Sequence, residues 1–182
     1  MYWPAIGGIV VGVVGYIEPR SLGVGYDNIT TALNAKLLIG SALALFFWKL
    51  VSWAVALGSG TSGGTLAPLL TFGSLLGLAL GIIGNTLFPE LGIRPEVCAF
   101  VGMSAIFAGA TRAILTATVF ALESTGVGVG IAVLLLGNSA AYLMSLIFME
   151  ETIMTEKLAR RGKHVPSEYF HVKLHSKDGK VL

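Results

Sequence analysis

The segment that decides the fold of this chain reads Gly58-Ser59-Gly60-Thr61-Ser62-Gly63-Gly64-Thr65-Leu66-Ala67-Pro68. It is rich in glycine and hydroxyl side chains, yet it joins two apolar segments: residues 37–57 are uncharged apart from Lys49, and residues 69–88 carry no charge. Irregular backbone at membrane depth is tolerated only where it is buried in protein or lines a cavity. Because a helix that starts inside the membrane can direct free N–H groups at an anion, we expect this loop and the helix after it to form part of an anion pathway.

The composition of the chain is that of an integral membrane protein. Of its 182 residues, 54% are hydrophobic and 12% are charged, whereas about 25% are charged in a typical soluble domain. Seven of the 12 Lys and Arg residues lie at or after Lys157, and the bias of positive charge toward cytoplasmic segments predicts a cytoplasmic C-terminus. We expect a multi-pass protein of the plasma (inner) membrane of a prokaryote.

Hydropathy and helix-breaking residues predict an all-α membrane bundle of short, broken and tilted helices, several of them below the roughly 20 residues that cross a bilayer. Asp27 is placed to cap the second, short helix, and residues 108–112 are expected to interrupt the helices on either side. Residues 1–162 are expected to form a membrane domain and residues 163–182 a polar cytoplasmic tail. The predicted helices span residues 4–17, 27–33, 36–57, 69–88, 96–107, 113–122, 127–149 and 152–161.

Glycines recur at short, near-helical steps in two of these helices. Such spacing places small residues along one face and predicts close contact with a neighbouring helix. The glycines concerned are Gly7, Gly8, Gly12 and Gly15 in the first helix, and Gly73, Gly77, Gly81 and Gly84 in the helix after the opening loop.

Three charged residues fall within or between the apolar segments. Lys49 can snorkel to the interface, face a cavity or mark a break between two helices; we favour snorkelling, although a charge inside the membrane is a common sign of function. Arg112 and Glu123 are about three helical turns apart, which places them on one face but too far apart to pair. We interpret both as helix-end charges.

Five motifs, in order along the chain, resemble those of the CLC family of voltage-gated chloride channels and proton/chloride antiporters. The opening segment, followed by Gly73 and Gly77, resembles the family signature GSGxSGGxFxP…G…G, and residues 102–117 are similar to its GMAAxFAGxTRAPLTA stretch. The other three pairs are residues 4–8 and 23–27 with PALGG…GVGYD, residues 123–126 with FEMTG, and residues 151–162 with ESIYxxKLxRRG. Together they imply the second of the two inverted halves of a CLC-type membrane domain.

The resemblance implies an anion site built from main-chain N–H groups. In the family, the two residues after the SGG glycines donate their N–H groups to the central anion, and here these residues are Thr65 and Leu66. Both fall where we expect a helix to start, so their amides are free and the helix dipole is positive there. The loop residues implied for the same site are Gly58, Ser59, Gly60, Ser62, Gly63, Gly64 and Pro68.

The chain departs from the family pattern in two ways. Met154 stands where the family usually has a tyrosine that donates its hydroxyl to the anion; methionine has no such donor, so we interpret Met154 as a neighbour of the pore and not as a ligand. The family's other anion-binding loops, GSGIP and GREGP, have no counterpart in these residues, and the second carries the gating glutamate. We therefore expect transport to require an N-terminal CLC half; the alternative is a non-conducting membrane interaction protein or a degenerate fragment.

The resemblance also implies partners. Chloride and the lipid bilayer are expected, and so is a homodimer through the helices near residues 4–17, 113–122 and 128–148, which resemble the family's contact helices. No GK[ST] follows the glycine loop, so it is not a P-loop. The membrane segments contain no cluster of histidines and carboxylates suited to acid–base catalysis. We expect no enzyme activity, cofactor, metal site or nucleic-acid partner.

Overall fold

The computed structural model describes residues 2–60, 63–125 and 130–149 and residue 152. Within these residues the protein is helical and has no β-strand, as the sequence predicts. Two short 3-10 helices, Pro19–Ser21 and Pro89–Leu91, follow α1 and α4. The α-helices are α1 (Trp3–Ile17), α2 (Tyr26–Leu33), α3 (Ile39–Gly58), α4 (Leu66–Leu87), α5 (Pro95–Thr111), α6 (Ile114–Thr125) and α7 (Ile131–Phe148).

Three of the described helices, α3, α4 and α7, are long and apolar enough to cross a membrane, and α1, α5 and α6 are shorter apolar helices. The prediction of an all-α integral membrane protein is thereby confirmed. The chain divides into two compact units, Met1–Phe148 and Met149–Leu182. The second unit is described only at Met149 and Thr152, so the predicted domain boundary after residue 162 and the helix at residues 152–161 lie outside the described residues.

The core of the first unit is centred on α4 and α5, which pack more extensively on each other than any other pair of helices. Glycine permits this approach, as the spacing of the α4 glycines predicts. A Cβ at Gly73 would clash with the carbonyl oxygen of Gly102, one at Gly77 with that of Cys98, and one at Gly81 would lie 2.8 Å from the Cα of Pro95. The two backbones are therefore in direct contact, without intervening side chains.

Two of the four α1 glycines lie against another segment in the described part of the chain, and the other two do not. A Cβ at Gly7 would lie 2.6 Å from the Cβ of Ser59, and one at Gly15 would lie 2.6 Å from the side chain of Leu22. A Cβ at Gly8 or Gly12 would meet nothing within 4 Å in the described part of the chain.

The break between α5 and α6 starts later in the structure than at residue 108, where the sequence predicts it. Helix α5 continues to Thr111, and the break comes at Arg112, whose φ is +57°. Tertiary packing accounts for the extension, because Ala108 and Ala110 are buried and a Cβ at Gly109 would lie 3.2 Å from the carbonyl oxygen of Ala141 in α7. Arg112 caps the end of α5 and its Nε lies 3.5 Å from Ser145 Oγ in α7, in agreement with its interpretation as a helix-end charge.

The prediction that Asp27 caps α2 is wrong. The N-cap residue is Gly25, whose φ is +94°, and Asp27 lies in the first turn of the helix. The chain reverses tightly here, and a Cβ at Gly25 would lie 2.8 Å from Thr71 Oγ1. Positive φ and close approach both require glycine, so the geometry of the turn takes precedence over the side-chain cap that Asp27 would supply.

Candidate anion site

The break between α3 and α4 contains most of the residues predicted for the anion site. Gly58 is the last residue of α3, and Ser59 caps it and donates its hydroxyl to the Ala56 carbonyl at 2.8 Å. Gly60 has a φ of +83° and turns the chain away from the helix axis. Ser62 lies outside the described residues, as does Thr61. The chain therefore leaves α3 at the position that the sequence predicts.

Helix α4 begins at Leu66 and Thr65 is its N-cap, as predicted for these two residues, although the uncharged span counted in the sequence starts only at residue 69. The Thr65 side chain makes no capping hydrogen bond, and the first turn of any helix leaves its N–H groups without intrahelical partners. Pro68 falls inside this turn, where its missing N–H breaks no helical hydrogen bond. The first intrahelical bond of this turn runs from Leu69 N to Thr65 O at 3.2 Å.

The approach to this helix start is open in the described part of the chain. Gly63 and Gly64 are exposed, and a Cβ at either would meet nothing within 4 Å. The Leu66 side chain is 42% exposed. The described residues thus leave this side of the main chain before α4 uncovered. Met154, predicted as a neighbour of the pore, lies outside the described residues.

Snorkelling of Lys49 is excluded by the structure. Helix α3 is continuous through this residue, and Lys49 is only 3% exposed. Its ammonium group donates to the carbonyl oxygens of Ser21 at 2.9 Å and Gly23 at 2.7 Å. The charge is thus directed inward, toward the segment that connects α1 to α2, and ties that segment to α3.

A cavity of about 380 Å³ lies between this segment, α3 and the first turn of α4. Sequence reasoning did not identify its residues as a group. A signal was nevertheless present, because Lys49, Ser52, Trp53 and Ala56 follow one another at helical spacing and share one face of α3. Its polar and small lining residues include Lys49, Ser52, Trp53, Gly64, Ala67 and Pro68.

Among the described residues, an ion pair lies at the end of α1, outside the membrane-spanning segments. Arg20 donates from Nε to Glu18 Oε1 at 2.8 Å and from Nη2 to Oε2 at 3.1 Å. The hydrogen bonds from Arg20 lower the pKa of Glu18, and those to Glu18 raise the pKa of Arg20. The pair stabilises the turn that carries the Ser21 and Gly23 carbonyls.

No group of three or more His, Cys, Asp or Glu side chains that could hold a metal ion occurs among the described residues. The hydrogen-bond donors of this region are main-chain N–H groups, hydroxyl and indole groups and one buried ammonium. The N–H groups and the ammonium donate without accepting, so they suit an anion better than a cation.

Comparison with known proteins places the chain in a family. The family model described as voltage gated chloride channel matches residues 1–146. The H(+)/Cl(-) exchange transporters ClcA of Salmonella arizonae and Salmonella paratyphi B are each 38% identical to the chain over 121 residues, which cover 66% of this chain and 25% of the relative. The chain thus matches about a quarter of the length of these curated relatives. Since the family model covers most of its residues, the chain belongs to the voltage-gated chloride channel (CLC) family.

Proposed function

We propose that this chain forms one wall of a chloride pathway, as part of a CLC-type channel or proton/chloride antiporter. The N–H groups of Thr65 and Leu66 would bind the central anion, and the loop residues around them would give the ion access to the main chain. The relatives named above carry H(+)/Cl(-) exchange in their names, which favours the antiporter among the two activities.

The observation that carries this proposal is the start of α4 between two apolar, membrane-length helices. Thr65 and Leu66 are the N-cap and first residue of a 22-residue helix, without a side-chain cap. Partial positive charge from main-chain dipoles attracts an anion without trapping it, which conduction requires. Because the ligands are main-chain groups, leucine in place of the family's usual phenylalanine changes the packing around the ion more than its binding.

The proposed partners are an N-terminal CLC half and a second copy of the assembled subunit. The first would supply the GSGIP and GREGP loops, including the gating glutamate. The second would pack on the helices predicted for the homodimer, near residues 4–17, 113–122 and 128–148. This is supported by apolar side chains that stay exposed on α6 and α7, including Leu115, Leu136 and Ile147. We further propose that the C-terminus is cytoplasmic and that the membrane is the inner membrane.

A flux measurement tests the transport activity. The reading frame and the neighbouring gene upstream of Met1 are searched for a GREGP-bearing half, which is then reconstituted into liposomes together with this chain. We expect chloride efflux from liposomes that contain both halves and none from liposomes that contain this chain alone. Efflux driven by a proton gradient would identify an antiporter, and efflux insensitive to it a channel. If no such half is encoded, or both halves together give no efflux, the result favours the alternative, a non-conducting membrane interaction protein or a degenerate fragment.

A proline substitution tests the assigned ligands. Leu66 is the first residue of α4, the position at which proline is best tolerated, so Leu66→Pro removes one N–H donor and keeps the helix. A hydrogen bond to a charged partner is worth about 1.5–3 kcal/mol, so we expect anion affinity to fall by roughly ten- to a hundredfold. Leu66→Ala keeps the N–H and is the matched control. Equal chloride affinity in the two variants, measured by calorimetry, would remove Leu66 from the site.

A further inference from the structure

Lys49 is a buried cation whose charge is not balanced within the described chain. The carbonyl oxygens of Ser21 and Gly23 accept two of its three N–H donors but carry no net charge. Among residues 2–60, 63–125, 130–149 and 152, no Asp or Glu oxygen forms an ion pair with its ammonium group; the one ion pair found there joins Arg20 and Glu18. Burial of a charge without a counter-charge is costly, so an opposite charge is expected close to Lys49.

The cavity beside Lys49 has the size and the lining for such a counter-charge. Its volume is about 380 Å³, and since a water molecule occupies about 30 Å³ of liquid, a small anion fits together with part of its hydration shell. Ala67 and Pro68 in the first turn of α4, together with Gly64 just before its N-cap, form part of the wall, so the positive end of that helix dipole also acts on the cavity.

Two unused donors lie in the same wall. The indole N–H of Trp53 and the hydroxyl of Ser21 are buried and have no hydrogen-bond partner among the described residues, and both residues line the cavity. Buried polar groups without partners are rare in native proteins and call for a ligand, an ion or a water molecule. Ser21 is 2% exposed, so bulk solvent does not satisfy it.

We propose that this cavity is a second anion-binding site, in which a halide or a similarly small inorganic anion is the counter-ion of Lys49. Thr65 and Leu66, the proposed ligands of the central site, do not line it, whereas Gly64 and Pro68 belong both to its wall and to the loop of the central site. The inference rests on the proposed function in one respect: an anion that occupies the cavity would reach it along the same pathway.

The experiment uses the full chain in lipid nanodiscs, because all residues that line the cavity belong to it. Of the three tryptophans, Trp3 and Trp48 are replaced by phenylalanine, so that the fluorescence of Trp53 reports on the cavity. Bromide is titrated into the sample in nitrate-free buffer at constant ionic strength. We expect saturable quenching of Trp53; quenching that rises linearly with bromide, as in random collisions, would overturn the proposal.

Variants of Lys49 separate charge from structure. Lys49→Arg keeps the charge, so the bromide concentration that half-saturates Trp53 quenching should stay within about threefold of the parent value. Lys49→Gln keeps an N–H donor without the charge, so this concentration should rise by roughly tenfold, the scale of one lost charge-assisted contact. Lys36→Gln, which removes a cation that does not line the cavity, is the control. Equal half-saturation for Lys49→Gln and the parent protein would overturn the proposal.

Failure of this inference can be told apart from failure of the proposed function. The same titration with Leu66→Pro should leave Trp53 quenching unchanged, because Leu66 is not part of the cavity wall. Saturable quenching without chloride efflux from the two-half liposomes would contradict the transport function and leave the cavity site intact. Chloride efflux that falls in the Leu66→Pro variant, together with linear quenching of Trp53, would support the transport function and overturn the cavity site.

Discussion

At the scale of single residues, Lys49 connects distant parts of the described chain. It sits in the middle of an apolar helix, yet its ammonium group donates to the buried carbonyl of Ser21 and the part-buried carbonyl of Gly23. Ser21 and Gly23 flank Leu22, which itself packs on Gly15 of α1. One side chain therefore connects α3 to the end of α1 and to the turn before α2.

Replacement of Lys49 by methionine should destabilise the protein strongly. The substitution keeps most of the side-chain volume but removes the donor from the buried Ser21 carbonyl and from the part-buried Gly23 carbonyl. Because an unpaired buried group costs about 1–3 kcal/mol and a part-buried one less, we expect a loss of about 1–4 kcal/mol, visible as a lower midpoint of thermal unfolding in nanodiscs. Lys49→Arg, which can donate to both carbonyls, should recover most of it. A methionine variant as stable as the parent would show that the two hydrogen bonds do not hold the segment.

The Glu18–Arg20 ion pair should make a small, pH-dependent contribution to stability. Arg20 lowers the folded-state pKa of Glu18, so the stabilisation is fully present above the unfolded-state pKa of glutamate and is lost as the pH falls through the lower, folded-state pKa. Because Arg20 is half exposed, we expect Glu18→Gln to cost about 0.2–1 kcal/mol at neutral pH. The unfolding midpoints of variant and parent should converge in acid; a constant difference at every pH would rule out the ion pair as its cause.

At the scale of secondary structure, the contact between α4 and α5 organises the first unit. Both helices carry glycine where their backbones touch, and three of the largest fully buried side chains, Phe100, Leu75 and Leu78, lie on these two helices. Helix α4 also carries the proposed anion site at its first turn. The position of that turn therefore depends on how closely α4 approaches α5.

A methyl group at Gly77 should separate the two helices. Its Cβ would clash with the carbonyl oxygen of Cys98 and would lie 3.0 Å from the Cα of Ala99, and backbone atoms cannot rotate away as a side chain can. We expect Gly77→Ala to cost about 1–3 kcal/mol or more, the range of overpacked cores. Gly40→Ala in α3 is the matched control, because its Cβ would meet nothing within 4 Å and alanine favours the helix by about 1 kcal/mol. Similar unfolding midpoints for the two variants would contradict a close α4–α5 contact.

At the scale of the whole molecule, the first unit presents apolar side chains on the helices proposed for the homodimer. Leu115, Leu136 and Ile147 are each 73% exposed, on α6 and α7. In a membrane such side chains face either lipid or another subunit.

Cross-linking between single cysteines distinguishes a subunit contact from lipid exposure. Cys98 is the single cysteine of the chain, so Cys98→Ser supplies a background without thiols. With a short bifunctional maleimide in native membranes, we expect Leu136→Cys or Ile147→Cys to give a cross-linked dimer on a denaturing gel. Leu80→Cys, on the exposed side of α4, should remain monomeric. Monomers from all three variants would contradict dimerisation through α6 and α7.

The family and the main helical segments could be read from the sequence because they depend on neighbours along the chain. The length of apolar runs predicts membrane helices, and the glycine-rich break between residues 58 and 65 marks where α3 ends and α4 begins. The close approach of α4 and α5 was likewise predictable from the four α4 glycines, because their periodicity places them on one face whatever the partner helix is.

The tertiary structure decided what depends on groups far apart in the chain. The direction of Lys49 is set by carbonyl groups 26 and 28 residues away, and the cap of α2 is set by the approach of Gly25 to Thr71. The length of α5 is set by its packing on α7. The sequence by itself therefore determined a helical membrane protein of the CLC family with a helix start after the glycine-rich break, where we propose the anion site. Only the three-dimensional structure showed that a buried cation and a cavity lie beside that start, because no local pattern specifies which distant groups surround a charge.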